Sequence, residues 1–297
     1  MNGILLVDKT AGMTSHDVVD RIRRAAGMRR VGHTGTLDPA ATGLLILCLG
    51  KATRLSEFLT GLDKTYEGTI LLGTTTDSFD LDGEIVEERD VPELELAQVQ
   101  TACDAFTGSI LQVPPMVSAV KVGGERLYKR ARKGEVVERE PRPVTVREFR
   151  ILDFQPPRAT FRLQCTRGTY ARSLCHDVGQ ALGCGACLAD LRRTAVGKYR
   201  IEDALAVDEF TSAEVVASRL VPLDEALDLP EVRVRRSASK TVATGGALEP
   251  PDLVKACPID HGWIQVKAED GTLLALGLVE SNLGIRRVLP KRVMCGR

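Results

Sequence analysis

The stretch GHTGTLDPAATG, residues 32–43, runs directly into LLILCLG, residues 44–50, and no other part of the chain is as constrained. The second segment is a short apolar run of strand length that reads as buried sheet. The first is a glycine-punctuated loop anchored on that strand, and it carries one carboxylate, Asp38. Gly32, Gly35 and Gly43 are open to positive φ or to close approach of another backbone. Pro39 fixes its own φ and biases Asp38 toward an extended conformation. A loop held by a rigid strand is where catalytic groups commonly sit. A nucleotide-type phosphate loop does not fit, because GxxxxGK[ST] and GxGxxG are both missing and Gly50-Lys51 is followed by Ala52. Asp before Pro is also ordinary turn or N-cap chemistry, so the loop alone leaves Asp38 open between turn former and reactive group. His33, in the same loop, is a candidate general base on its chemistry alone.

Charge distribution adds a second constraint. Forty basic and forty acidic side chains cancel over 297 residues, so total charge marks no nucleic-acid partner. Their segregation says more: residues 61–110 carry 12 acidic and 2 basic side chains, and residues 121–172 carry 14 basic and 6 acidic. KVGGERLYKRARKG, residues 121–134, crowds Lys121, Arg126, Lys129, Arg130, Arg132 and Lys133 onto one short helix and its lead-in. That suits phosphate contact without base reading, or else a solvated helix face. The acidic run at 74–94 reads as a loop and hairpin turning at Leu81-Asp82-Gly83, with a solvated face. Its offsets do not reproduce an EF-hand.

Eight irregularly spaced cysteines, no apolar run of membrane length and no leader at Met1 point to free thiols in a reducing cytoplasm. Cys175, His176, Cys184 and Cys187 make the one cluster with a CxxC, but the second knuckle of a strong zinc pattern is missing, so no metal is expected.

The periodicities describe an α+β chain long enough for two domains. Strands are expected over residues 3–9, 44–50, 63–73, 144–154 and 159–165. Helices are expected from about His16 to Ala26, capped by Thr14 or Ser15, over 51–60, over 96–106 and from near Tyr170. From 231 onward the pattern changes to short strand-like runs, VRVRR, GWIQVKA, GTLLALGLV and RRVLPKRVM, separated by Gly and Pro. Residues 1–230 and 231–297 therefore read as two units, the second small and β-rich with 11 basic and 7 acidic side chains.

GHTGTLDPAATGLL, DKTY and CTRGTYARSL, in this order and spacing, resemble the TruB family of pseudouridine synthases, as do GILLVDK, PPMVSAVKVGGERLYKRARKG and LGCGACLADLRRTAVG. The resemblance covers nearly the whole chain. It implies a pseudouridine synthase fold, a mixed, mainly antiparallel sheet flanked by helices with the cleft across its middle, and a PUA-like C-terminal domain. It also implies the roles: Asp38 catalytic, Tyr66 stacked on the target base, Tyr170 packed beneath it, Arg172 paired with Asp38. Leu191 would line the pocket, Lys9 would help build its floor, and His33 would slide into the RNA where the flipped uridine had been. The expected substrate is the T arm of tRNA, bound by a monomer with no obligatory protein partner, no cofactor and no metal. The reaction breaks the N1–C1′ bond of uridine, turns the base and rejoins it through C5; Asp38 either adds to the base or acts at the sugar. Two departures stand out: Thr10 where members usually have Pro, and Val117 where many have Tyr. Alternatives are a tRNA-folding chaperone using the same cleft and the RNA-guided archaeal and eukaryotic relative, although the Met1 start leaves no room for that relative's N-terminal extension.

Overall fold

The computed structural model describes residues 1–118, 121–122, 124–127, 130, 135, 137–282 and 285–295. Within them the chain forms strands β1 (Gly3–Lys9), β2 (Val31–His33), β3 (Thr42–Leu49), β4 (Lys64–Leu72), β5 (Thr74–Thr76), β6 (Ile85–Glu88) and β7 (Gly108–Gln112). A small hairpin of β8 (Lys121–Val122) and β9 (Glu125–Arg126) follows, then β10 (Arg142–Gln155), β11 (Arg158–Cys165), β12 (Ala186–Val196), β13 (Tyr199–Arg200) and β14 (Leu205–Ala206). The central sheet runs β14-β1-β3-β12-β4-β11-β10-β7, with β13 and β2 pairing from the side. It is mixed and mainly antiparallel, since among its described strands only β1–β14 and β12–β3 pair in parallel.

Helix α1 (Ser15–Ala26) shows how local sequence sets these elements. Thr14 is its N-cap: its hydroxyl accepts from Asp17 N, while Asp17 reaches back to Thr14 N at 2.8 Å. Val18, Val19, Ile22 and Ala26 make its buried stripe, and Gly27 at φ 61° ends it in the left-handed cap. The expected helix over 51–60 divides into a 3₁₀ turn, Gly50–Leu55, and α2 (Ser56–Gly61). Helices α3 (Leu96–Asp104) and α4 (Ala171–Ala181) cover one face of the β4-β11-β10 half, closing a core that includes Val99, Cys103, Phe149, Phe161, Leu163, Leu174 and Val178. The β1-β3 half is buried on both faces, against α1 on one side and the α2 region on the other. That explains why LLILCLG shows no alternation.

Parallel pairing of β12 with β3 is confined to Arg192↔Thr42 and Arg193↔Gly43, and this short seam joins the two halves. Gly43 makes it possible: its φ is +100°, and a Cβ there would stand 2.3 Å from the Arg193 carbonyl oxygen. Gly32, by contrast, sits in β2 with negative φ and open space around it, so the expectation of a special backbone there is corrected.

Residues from 231 build a second sheet, β15 (Glu231–Arg233), β16 (Gly262–Lys267), β17 (Leu273–Asn282) and β18 (Ile285–Val293). Its own core contains Val232, Val242, Ile264, Val266 and Val279, while Leu273, Leu276 and Met294 join the α2-side core of the large sheet. Phe58 meets Trp263 edge to face at 4.8 Å, and Arg292 pairs with Glu57 at 2.9 Å. Among the described residues no helix is long and apolar enough to cross a membrane.

Candidate active site

The loop after β2 places Asp38 at a cleft of about 260 Å³ beside the β3–β12 seam, lined by Tyr66 from β4, Leu191 and Arg193 from β12, and Tyr170 and Arg172 at the start of α4. Arg172 is its best-fixed member, with a side chain 4% exposed. Its Nε reaches Asp38 Oδ2 at 3.1 Å and its Nη1 reaches Asp80 Oδ2 at 3.2 Å. Nη1 also donates to the Ser78 carbonyl at 3.0 Å and Nη2 to the Val117 carbonyl at 2.8 Å. A planar fork spanning four acceptors suits Arg and not Lys. Asp38 keeps a side chain 42% exposed, so one carboxylate is oriented from behind and open in front. Burial pushes its pKa up, Arg172 opposes this, and the charges of Asp80 and Asp82 add to the rise.

Lys9 is fully buried and does not line the cleft. Its three ammonium protons go to the carbonyls of Thr10, Pro39 and Ala41, at 2.9, 3.0 and 2.6 Å, so it ties down the backbone just after Asp38. Burial brings its pKa to about 8, with Asp38 pulling upward. Ser15 braces the loop from the other side, taking a hydrogen bond from Leu37 N at 2.8 Å. Tyr170 is seated by Gln112, whose amide receives Tyr170 N at 2.8 Å and donates to its carbonyl at 3.0 Å.

The cleft thus brings together Asp38, Tyr66, Tyr170, Arg172 and Leu191 of the expected set. His33 stands apart at the end of β2, half-buried, its Nδ1 buried without a hydrogen-bond partner among the described residues and its pKa lowered chiefly by burial. In the basic stretch, Lys121 and Arg126 lie on the β8–β9 hairpin that forms its lead-in, their side chains outside the described part. Lys129, Arg132 and Lys133 lie outside the described residues, and Arg130 is paired with Glu135 at 2.6 Å. The Val117 departure is absorbed, because position 117 serves Arg172 through its backbone carbonyl.

Four residues at or behind the cleft are not legible in the sequence. Asp80 comes from the acidic run taken as a solvated face, yet its side chain is 15% exposed and clamps Arg172. Phe79 before it takes φ 66° and stacks on His176 at 4.0 Å, which holds that loop against α4. Lys64 and Arg193 both line the cleft and are buried, and both stood in quoted motifs, DKTY and ADLRRTAVG, beside the residues that drew attention. His176 is thereby a packing residue, and Cys175, Cys184 and Cys187 are buried free thiols. Among the described residues no group of three or more His, Cys, Asp or Glu is arranged to hold a metal.

A cleft of this kind, on a sheet of this order, defines a class. Over 99% of this chain and 86% of the matched chain, the fold is that of a chain in a solved structure titled "Structure of H/ACA RNP bound to a substrate RNA containing 2'-deoxyuridine", with TM-score 0.74 and 26% identity. A "Cbf5-Nop10-Gar1 Complex" gives the same TM-score at 27% identity, covering 99% and 85%. The class is that of the pseudouridine synthases, isomerases of uridine. Residues 23–171 match the model of the TruB family pseudouridylate synthase N-terminal domain, and residues 172–228 match the tRNA pseudouridylate synthase B C-terminal domain. Similar relatives include tRNA pseudouridine synthase B of Opitutus terrae, 53% identical over 76% of this chain and 95% of its own length. That of Thermobifida fusca is 45% identical over 93% and 94%, and that of Burkholderia pseudomallei 40% over 99% and 97%. The chain belongs to the TruB family.

Proposed function

We propose that this protein isomerises uridine to pseudouridine in the T arm of tRNA, with Asp38 as the catalytic group. The observation that carries the assignment is the Arg172–Asp38 pair at the cleft: a buried guanidinium aims a half-exposed carboxylate into a space lined by two tyrosines. Arg172 favours the ionised form, which either course of the reaction requires. Tyr66, Tyr170 and Leu191 offer the flat and apolar surfaces that replace lost stacking when a base leaves the helix. Lys9 holds the Asp38 loop in place through backbone carbonyls. His33, outside the cleft, fills the gap in the RNA stack. Residues 1–230 form the catalytic unit, and 231–297 a PUA-like unit that adds RNA contact. The basic segment 121–134 meets phosphates. The enzyme works in the cytoplasm, where its free thiols stay reduced, as a monomer without guide RNA or partner protein.

The test is pseudouridine formation on a bare tRNA transcript by the purified chain alone. Product at the T-arm uridine is expected. Product only after a guide RNA or second protein is added would place the chain with RNA-guided synthases, and release of refolded tRNA without product would make it a chaperone.

A further inference from the structure

The cleft holds more buried positive charge than its described carboxylates neutralise. Arg172 has two carboxylates, whereas Lys64 and Arg193, 6% and 2% exposed, have none among the described residues. Asp63, next to Lys64 in the chain, is taken by Arg147. Lys64 Nζ donates to the carbonyls of Thr60 and Leu62, both at 2.6 Å, which uses two of its three protons. Arg193 donates to the Leu44 carbonyl at 2.7 Å and the Gly35 carbonyl at 3.1 Å. Carbonyl contacts soften the cost of a buried cation but do not cancel its charge. The strain is visible in Lys64, whose pKa falls to about 8 through burial first and the neighbouring Arg193 second.

The same wall adds the exposed Arg167 and the hydroxyl of Thr166, which accepts from Thr145 N at 2.9 Å and so keeps its proton for a ligand. Cations and a hydroxyl without a carboxylate among them form a phosphate-type donor set. We propose that Lys64, with Arg193, Arg167 and Thr166, is the seat for one of the two phosphates flanking the flipped uridine. This rests on the functional reading above and goes beyond it by naming which part of the nucleotide meets this wall. The competing view is that Lys64 only caps the C-terminal carbonyls of α2.

The experiment uses T-arm stem-loop RNAs carrying a single neutral methylphosphonate linkage either 5′ or 3′ of the target uridine, with kcat/KM measured for wild type, Lys64→Met and Arg167→Gln. One linkage is expected to cost wild type about tenfold or more, the size of a lost charge-assisted hydrogen bond. Lys64→Met should lose a similar factor on native RNA and less than about a further twofold on that phosphonate RNA, because the shared interaction is already gone. Arg167→Gln should show the same non-additivity more weakly. Losses that multiply would overturn the proposal, and so would a wild type indifferent to both linkages. Should thermal melting show Lys64→Met unfolded, the wild-type scan and Arg167→Gln decide by the same criteria. A wild type silent on native RNA would instead sink the functional reading, an outcome distinct from an active enzyme blind to the phosphonates.

Discussion

Two loops deliver a carboxylate to the same arginine, and they do so by opposite means. Asp38 arrives on a loop carried by the buried strand β3, tied by Lys9 after it and Ser15 before it, with its side chain 42% exposed. Asp80 arrives on an acidic turn between β5 and β6, braced by the Ser78 hydroxyl and by the Phe79–His176 stack, with its side chain 15% exposed. Both lie about 3 Å from Arg172. Exposure separates them: in the proposed function the open carboxylate is the one that meets substrate, while the covered one holds the arginine. An ion pair is therefore not a unit of function by itself; which partner solvent and ligand can reach decides the chemistry.

Substitution at each loop separates them. Asp38→Asn should lower turnover at least about a thousandfold while tRNA affinity, measured by filter binding, stays within about twofold, since affinity comes from phosphates and shape. Asp80→Asn should cost about tenfold to a hundredfold in kcat with KM little changed, because Arg172 loses one charged anchor but Asp38 stays. Equal losses from the two would erase the distinction. Phe79→Ala removes the stack that braces the second loop and should lower stability by roughly 1–3 kcal/mol in urea melts, with a smaller loss of rate than Asp80→Asn. The smallest effect belongs to His33: His33→Phe should stay within a few-fold of wild type where His33→Ala loses about tenfold, with no inflection near neutral pH lost in either. A Phe variant as impaired as Ala, together with a vanished titration, would put His33 in the chemistry.

The same contrast governs what could be read from the sequence. The first loop announced itself, because Gly43 and the apolar strand after it are local features with one structural solution. The Arg172 link to Asp38 was legible only through resemblance, as nothing local to CTRGTYARSL shows what lies across the cleft. Asp80 was missed because a carboxylate among many in a polar turn carries no sign of burial; its exposure is set by β12 and α4, which come more than ninety residues later. Lys64 and Arg193 were hidden for a related reason. A cation at a strand end or among polar neighbours, such as Lys64 and Arg193, reads as solvated until the sheet around it is assembled. The two-sheet division was legible from the change of period near 231, whereas the shared core of Leu273, Leu276 and Met294 with Ile4 and Leu55 depends on packing that periodicity does not encode.

The most direct test of the unequal pair is the acid limb of single-turnover pseudouridine formation, compared between wild type and Asp80→Asn on the same tRNA transcript. On the proposed mechanism Asp38 must be ionised, and burial raises its pKa, so rate should fall as pH drops through a value higher than that of an ordinary aspartate. The charge of Asp80 is part of what raises it. Neutralising Asp80 should therefore move the acid limb to lower pH even as the maximal rate declines. A limb that stays in place, moves up or disappears would contradict the assignment of Asp38 as the reacting carboxylate and Asp80 as its fixed neighbour.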